Sequence, residues 1–391
     1  MRKHSLAAVI ALSVTGAAGT VNAIELTDFL DPTSTYEQAF VDGRFSSKSG
    51  NQERTSYDLI LQGDYDYNFN SLPKNWRLLF DGQANMSRGP NKADPDQENY
   101  LANLRGNIDT YLPNREPVFW YAAGESSYRD DADDLFVKIG GGLGYGRVID
   151  ATPLAYVLRF EEELREHGVI AGPISDATYL ELARIVARRA EYRGRYGAEE
   201  YQAPWISDME KVLATAGVLK GGVLGAAGVV HMNRVLDEER ISVRKHGWVV
   251  RGGPSVVVQD FNGDSGDPAI DLEFEYARPF GYRSQFINVA SLSTIWGDDT
   301  DQLWRNRMSY TYEVSDRIDW ENRWNLDHLN AGGGANDITT NALSTTLRYY
   351  LTNRIAAGAT ISAVKIDDDI KGNGNDETDL QTFFDIRYRL K

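Results

Sequence analysis

The chain has 391 residues, of which 25% are charged and 42% are apolar, so it is neither a disordered acidic tail nor a collagen-like polymer. Acidic residues outnumber basic ones, 57 against 41, and the net charge of −16 argues against a nucleic-acid partner. The absence of cysteine excludes disulfide frameworks, Cys-ligated zinc and cysteine nucleophiles. A mean hydropathy of −0.44 excludes a polytopic helical membrane protein, but it is compatible with a membrane β-barrel, whose strands are half polar.

The first 23 residues have the features of a secretory signal peptide. Arg2, Lys3 and His4 form a short basic region, and residues 5–21 are an apolar run of small side chains. Residues 21–23, Val-Asn-Ala, fit the small-residue pattern of a cleavage site. We therefore expect residues 1–23 to be removed and the mature protein to lie in the cell envelope.

Residues 36–148 and 245–390 alternate between apolar and polar side chains with a period of two, which predicts two barrel segments with bounds 24–149 and 244–391. Tyr65 and Tyr67, for example, alternate with Asp64 and Asp66. The alternating segments are longer than the roughly 5–6 residues typical of soluble strands. They predict fourteen strands: 36–47, 57–69, 76–86, 100–112, 116–128, 134–148, 245–259, 270–276, 284–297, 304–312, 318–326, 339–351, 354–367 and 377–390. In three of these segments the alternation is mixed, so a count of thirteen or sixteen strands also stays open.

The connections between these strands differ in length and charge on the two sides. The odd-to-even connections are mostly longer and acidic, as at residues 130–134, 297–301 and 367–369. The even-to-odd connections are short and often carry an arginine, such as Arg115 or Arg283. Long loops on one side and tight turns on the other are typical of an up-and-down membrane barrel with both termini in the periplasm.

The alternating pattern resembles the porin-like β-barrels of the Gram-negative outer membrane, and the last strand is the sharpest match. Phe384, Ile386, Tyr388 and Leu390 alternate with charged residues, before the chain ends at Lys391 instead of an aromatic residue. The resemblance implies an all-β transmembrane barrel in the bacterial outer membrane. It also implies contact with membrane lipid and lipopolysaccharide, and recognition of this strand by the barrel-assembly machinery.

Residues 150–243 interrupt the strand pattern where a periplasmic turn is expected. Residues 153–167 and 176–193 predict amphipathic helices, the second capped by Ser175 or Asp176 and packed through a stripe of small apolar residues, and residues 206–218 predict a third. The proposed stripe consists of Leu180, Ala183, Ala187 and Ala190, and the opposite face carries Arg184, Arg188, Arg189 and Arg193. This basic face predicts either a plug that meets acidic groups in the lumen or a solvated surface that docks a periplasmic protein or the cell wall.

The polar side chains at alternate strand positions face the lumen, and they form the best candidate functional surface. Opposed charges in a pore orient solutes and set ion preference, although they also brace a barrel wall. We expect the lumen to be lined by Arg77, Asp81, Arg105, Asp109, Lys138, Asp271, Glu273, Arg305, Arg307, Asp319, Glu321 and Arg323. The expected function is passive or gated passage of small hydrophilic solutes or export of a polymer. The alternative is an anchor without transport activity whose insert docks a partner.

Two further patterns are candidates for a catalytic pair and for a calcium site. Asp327 and His328, at the rim of the predicted eleventh strand, form a candidate acid–histidine pair, but no local nucleophile accompanies them, so we expect no catalytic activity. The loop residues Asp260, Asn262, Asp264 and Asp267 place oxygen ligands at alternate positions, as in part of a calcium loop. The loop lacks the glycine and the distal glutamate of that motif, and a polar surface loop of this kind needs no metal. No other cofactor is expected.

Overall fold

The structure is a computed structural model that describes residues 24–31, 33–113, 115, 117–297, 300–334, 336–352, 354–368, 370 and 377–390. The predicted signal peptide, the acidic loop residues 298, 299 and 369, most of the last loop and Lys391 lie outside the described residues.

Fourteen antiparallel strands form a closed barrel in which each strand pairs with the next along the chain and β14 pairs with β1. The predicted fold class is therefore confirmed. The strands are β1 (Ser34–Lys48), β2 (Ser56–Asn70), β3 (Lys74–Arg88), β4 (Asp96–Tyr111), β5 (Val118–Arg129), β6 (Phe136–Asp150), β7 (Lys245–Gln259), β8 (Asp267–Phe280), β9 (Ser284–Trp296), β10 (Thr300–Ser315), β11 (Ile318–Asn330), β12 (Ile338–Tyr350), β13 (Ile355–Asp367) and β14 (Asp379–Arg389).

The connections differ on the two sides of the barrel in the predicted way. The odd-to-even loops span 49–55, 89–95, 130–135, 260–266, 297–299, 331–337 and 368–378. The even-to-odd turns are mostly shorter, at 71–73, 112–117, 281–283, 316–317 and 351–354, apart from the long insert between β6 and β7. The short turns and the insert therefore share one side of the barrel, and its location in the periplasm stays a prediction.

The seam that closes the barrel is its shortest strand pairing. β1 pairs with β14 over residues 40–43, whereas it pairs with β2 along its whole length. An ion pair reinforces the seam, because Nε of Arg387 on β14 lies 2.7 Å from Oδ1 of Asp42 on β1. The guanidinium of Arg44 also lies over the ring of Phe383, 4.6 Å from its centroid.

The insert contains five α-helices: α1 (Thr152–Glu166), α2 (Asp176–Ala187), α3 (Arg189–Tyr196), α4 (Gln202–Thr215) and α5 (Gly225–Asn233), the last of which continues into a π-helical turn, Arg234–Glu238. α1 agrees with the first predicted helix, and the Ser175 side chain caps α2 by accepting the backbone N–H of Thr178. No helix among the described residues is long and apolar enough to cross a membrane.

Two details of the predicted second helix are wrong. The segment 176–193 is broken at Arg188, where the backbone leaves helical geometry, and α3 has no buried side chain. The fully buried side of α2 consists of Leu182, Ala183, Ile185 and Val186, whereas Leu180 and Ala187 of the predicted stripe are only partly buried against the same core and Ala190 is exposed. The bulkier aliphatic side chains bury more apolar area against α1 and α4 than the alanine stripe would, so packing selects that face.

The helices and the amino-terminal segment share one apolar core. Leu26 and Phe29 are buried together with Phe160 of α1, Trp205 of α4 and Met232 of α5. The indole Nε1–H of Trp205 donates to the carbonyl of Ile185, 2.9 Å away, which satisfies the one polar atom of that buried ring. The insert is thus a packed helical subdomain, and the first described residues of the chain belong to it.

Candidate functional site

The inner wall of the barrel encloses a cavity of about 370 Å³, bordered by side chains from β2 to β10. Eight of the twelve predicted lumen residues border it: Arg77, Arg105, Asp109, Lys138, Asp271, Glu273, Arg305 and Arg307. The ion pairs around the cavity differ in burial, since Arg251–Asp109 is almost completely buried and Arg305–Glu125 is partly exposed.

The most buried ion pair of the lumen joins β4 to β7. Arg251 donates from Nε and Nη2 to the two carboxylate oxygens of Asp109, at 3.1 and 2.6 Å, and from Nη1 to Glu273 at 2.7 Å. The side chain of Asp109 is completely buried and that of Arg251 is 12% exposed. A two-point arginine–carboxylate contact is strong and directional, so this pair holds two non-adjacent strands together.

A second contact joins β6 to β8 and β9. The ammonium of Lys138 lies 2.9 Å from Oδ1 of Asp271 and 3.2 Å from the hydroxyl of Ser293. Both predicted charges are therefore directed into the same part of the lumen and neutralise each other. The lining at this level is polar but close to electrically balanced.

Two ion pairs cross the lumen between strands that are far apart in the sheet. Nη1 of Arg305 on β10 lies 3.4 Å from Glu125 Oε1 on β5, and Nη1 of Arg77 on β3 lies 3.9 Å from Glu275 Oε2 on β8. In a circular barrel of this size, strands five positions apart are separated by about 25 Å, which is beyond the reach of an arginine and a glutamate side chain. The barrel is therefore flattened, and its opposite walls touch through charged groups.

Glycines at the corner between β6 and β7 explain how the wall folds so sharply. A Cβ atom on Gly142 would lie 2.2 Å from the carbonyl oxygen of Gly252, and one on Gly253 would lie 2.2 Å from that of Gly141. On the same inner face, a Cβ on Gly144 would overlap the buried ring of Phe119. Only glycine allows the two backbones and this ring to approach so closely, as is typical of a tight bend in a barrel.

The other predicted lumen residues lie away from the cavity. Asp81 accepts a hydrogen bond from Asn103 at 2.7 Å on the neighbouring strand. Glu321 lies between Arg323 and Arg348, at 3.4 and 3.3 Å, and so belongs to a network along the wall of β11 and β12. These contacts lie within one strand or between neighbouring strands and do not cross the lumen.

The end of the insert contacts the barrel at the end where the short turns lie. The buried guanidinium of Arg244 contacts Glu313 at 2.6 Å and donates from Nε to the carbonyl of Tyr282 at 2.8 Å. The hydroxyl of Ser242 donates to Asp319, at 2.9 Å, so this predicted lumen residue binds the insert.

Above this contact, the guanidinium of Arg240 lies against two aromatic rings of the inner wall. It is 4.6 Å from the ring centroid of Phe40 and 5.1 Å from that of Tyr350. Residues 240–244, which we call the closing segment, therefore extend along the inner wall of the barrel while the helices lie outside the mouth.

The outer face of the barrel is apolar and rich in aromatic residues. Its exposed side chains include Trp76, Phe80, Ile108, Trp120, Leu143, Tyr145, Trp248, Leu272, Phe274, Trp304, Trp320, Leu347, Phe384 and Ile386. Along each strand they alternate with the charged residues that face the lumen, as expected for strands that face lipid on one side. Aromatic pairs such as Tyr67–Trp76 and Tyr145–Trp248 lie on this surface, with ring centroids 5.5 and 5.6 Å apart. The chain is an outer-membrane β-barrel protein.

Comparisons with known proteins find only solved structures that are distantly similar to this barrel protein. No family model matches the chain, and no curated protein matches it. An outer membrane channel from Pseudomonas putida F1 is 7% identical over 94% of this chain and 99% of its own, with a TM-score of 0.35. The outer membrane protein Omp33 of Acinetobacter baumannii is 8% identical over 92% and 99%, with a TM-score of 0.29.

A loop-deletion mutant of OmpT, an outer membrane protein of Vibrio cholerae, is 8% identical over 92% of this chain and 100% of its own, with a TM-score of 0.34. At such identities and TM-scores these structures supply no argument about cargo or activity. The function of the barrel protein has to be inferred from its own lumen and insert.

The basic face of the second predicted helix does not meet the acidic lumen. Arg184 lies 3.7 Å from Asp31 in the amino-terminal segment, and Arg189 contacts Asp237 and the hydroxyl of Tyr201 within the insert. Arg184 and Arg189 are thus engaged within the insert and its amino-terminal neighbour, and a plug formed by the insert stays a prediction. Arg240 and Arg244 reach the barrel wall instead, and sequence reasoning missed both because they follow the last helix without any periodic pattern.

The candidate acid–histidine pair is not formed. Adjacent residues of a strand point to opposite faces. Asp327 faces the lumen, where it contacts Arg307 at 2.6 Å, whereas His328 lies on the outer face with its Nδ1 2.8 Å from the hydroxyl of Thr339.

The candidate calcium loop is held by its own backbone. The carboxylate of Asp260 accepts the N–H groups of Asn262 and Asp264, at 2.9 and 2.8 Å. Within the described part of the chain, Asp260, Asp264 and Asp267 are not among the acidic and histidine side chains whose ligand atoms converge. Calcium binding by Asp260, Asn262, Asp264 and Asp267 stays a prediction.

Proposed function

We propose that the protein is a gated outer-membrane channel for small hydrophilic solutes and that the structure corresponds to a closed conformation. The observation that carries the proposal is the charged cavity of about 370 Å³ between walls that touch through ion pairs. A circular barrel of fourteen strands has room for a passage, since eight strands leave room only for side chains and sixteen leave an aqueous channel. Flattening and the cross-lumen contacts remove that room here.

The ion pairs differ in how easily they can separate. The Arg305–Glu125 contact is partly exposed, with side chains 34% and 17% accessible, and such ion pairs contribute only about 0–1 kcal/mol each. The buried two-point contact of Arg251 with Asp109 is much more costly to break. We therefore assign Arg305–Glu125 to a movable constriction and Arg251–Asp109 to the permanent wall.

The closing segment supplies a second barrier at the periplasmic mouth. Its polar contacts to the wall, through Arg244 and Ser242, bury charged and hydroxyl groups together with the end of the insert. Passage requires this segment to shift, which gives the helical subdomain a route to control opening. The small cavity favours small solutes over export of a polymer.

Planar-bilayer conductance of the refolded mature protein tests the proposal. We expect rare openings for the wild-type chain and more frequent or larger openings for Glu125→Gln and Arg305→Met, because each removes the more exposed of the two ion pairs that join the opposite walls. Arg88→Gln is the matched control: it also neutralises an arginine, but Arg88 pairs with Asp96 on the neighbouring strand, away from the cavity. Open steps with an unchanged control would support a gated channel.

A barrel that is folded, as judged by its circular dichroism, and yet silent in the wild type and in both lumen variants would exclude the channel. The alternative would then be a membrane anchor whose insert docks a periplasmic protein or the cell wall. One observation favours a docking role: exposed arginines, among them Arg188 and Arg195, lie along α2 and α3 on the side away from the insert core. Capture of an acidic partner by the intact protein, and its loss on replacing these arginines, would test that role.

A further inference from the structure

A cluster of one glutamate and two histidines lies where α1 meets α5, apart from the lumen and the closing segment. Glu163 lies in the last turn of α1, His167 is the C-cap residue directly after that helix, and His231 belongs to the last turn of α5. One ligand atom from each of the three side chains lies within 4.8 Å of the other two. No role in the proposed channel requires this arrangement.

The distances fit a metal coordinated by nitrogen and oxygen. Nδ1 of His231 lies 3.0 Å from Glu163 Oε1, and Nδ1 of His167 lies 3.4 Å from the same oxygen. A tetrahedral zinc ion with bonds of about 2.0–2.2 Å holds its ligand atoms roughly 3.3–3.5 Å apart. The cluster therefore needs shifts of only a few tenths of an ångström to enclose such an ion.

The surroundings of the cluster resemble those of a metal-binding site. The side chain of Glu163 is 3% exposed, and a buried carboxylate requires positive charge nearby. Nδ1 of His167 also lies 2.9 Å from the carbonyl oxygen of Glu163. A metal bound to Nδ1 of His167 would replace this contact, because that nitrogen must be free of its proton to act as a ligand. The two rings face each other with centroids 3.7 Å apart.

We propose that Glu163, His167 and His231 form a binding site for a divalent transition metal, with zinc as the best fit. One carboxylate and two imidazoles are a usual ligand set for zinc, and a water molecule would complete the tetrahedron. The ion would link α1 to α5 and so stiffen the helical subdomain at the periplasmic mouth.

Arg234 competes for the same carboxylate. Its Nη2 lies 2.6 Å from Glu163 Oε1, and a guanidinium and a metal dication repel each other at that oxygen. The Arg234 side chain is 42% exposed and long enough to swing into solvent when the metal binds. Zinc and the Arg234 guanidinium are thus expected to exclude each other at Glu163.

Calorimetric titration of the refolded mature protein with zinc, and absorption spectroscopy with cobalt(II) as the probe, test the proposal. We expect His167→Gln and His231→Ala each to weaken zinc binding by at least about tenfold and to abolish the visible absorption of tetrahedral cobalt(II). His328→Ala is the control, because it removes a histidine from the outer face of β11 and should leave both signals unchanged. Arg234→Gln should strengthen binding, since it removes the competing cation.

The proposal is wrong if the two histidine variants, with circular dichroism like that of the wild type, bind zinc as tightly as the wild type does. It is equally wrong if the loss is as large for His328→Ala, because the metal would then bind exposed histidines in general. His167→Gln keeps a polar side chain at a half-exposed position and tests the site even if His231→Ala perturbs folding. Weaker zinc binding by Arg234→Gln would also contradict the competition that the geometry requires.

Discussion

The buried pair between Arg251 and Asp109 gives the sharpest prediction about the barrel wall. Arg251→Met keeps much of the length of the side chain but leaves the carboxylate of Asp109 without its guanidinium, in a position with no solvent exposure. Asn107 still donates to Asp109 at 3.1 Å, but an amide cannot balance a full negative charge. Removing one partner of such a buried pair costs about 3–5 kcal/mol of the free energy of unfolding.

The second variant of the pair isolates the cause of this loss. Asp109→Asn removes the charge, so the combination of Asp109→Asn with Arg251→Met leaves no uncompensated ion in the wall. We expect the double variant to lose at least about 2 kcal/mol less than the sum of the two single variants, because the residues contact each other directly. Glu273, the third member, is 42% exposed and can be solvated when Arg251 is absent.

Urea unfolding of the barrel in lipid vesicles, followed by far-ultraviolet circular dichroism, measures these free energies. Arg88→Gln is the control, since an exposed pair at the rim contributes about 0–1 kcal/mol. A loss below about 1 kcal/mol for Arg251→Met, or strictly additive losses in the double variant, would refute the claim that this pair joins β4 to β7 in the folded wall.

Three further predictions concern the seam, the corner and the insert. Asp42→Asn should speed unfolding of the barrel, measured by the loss of its heat-resistant band in gels, because it weakens the contact with Arg387 at the shortest strand pairing; an unchanged rate would contradict this. Gly142→Val should prevent assembly of the folded band, since its Cβ would lie 2.2 Å from a carbonyl oxygen of β7. Burial raises the pKa of Glu239 in spite of the neighbouring Arg159, so the folded chain binds this proton more readily than the unfolded chain. The helical circular-dichroism signal should therefore become more resistant to urea as the pH falls through the titration range of Glu239, and Glu239→Gln should abolish this dependence.

The architecture of the barrel could be predicted because it depends on local alternation. Each strand faces lipid on one side and the lumen on the other, so its apolar and polar residues alternate along the chain, as Tyr65 and Asp66 do. The positions of all fourteen strands and the difference in loop length between the two sides follow from that pattern. The first helix could also be predicted from the sequence, because Pro153 marks its start and its apolar residues recur with a period of 3.6.

The lumen contacts could be predicted only in part. Alternation identifies the face of Asp109 and Arg305, but it does not show which charges meet, because their partners Arg251 and Glu125 are distant in sequence. Arg251 in particular lies in an almost continuously apolar stretch of β7, where the alternation is hidden. The zinc candidate was missed for the same reason, since His231 joins Glu163 and His167 only when α5 packs on α1.

The sequence by itself determined the class of the molecule: a barrel of alternating strands with a helical interruption, each a property of neighbouring residues. The tertiary structure alone decided that the barrel is flattened, that Arg240 and Arg244 contact its wall at the end where the insert lies, and that Arg184 and Arg189 bind acidic residues outside the lumen. These outcomes depend on which distant surfaces come into contact and on how closely glycines let the β6 and β7 backbones approach. A pattern of period two specifies the direction of a side chain but not the distance to the opposite wall.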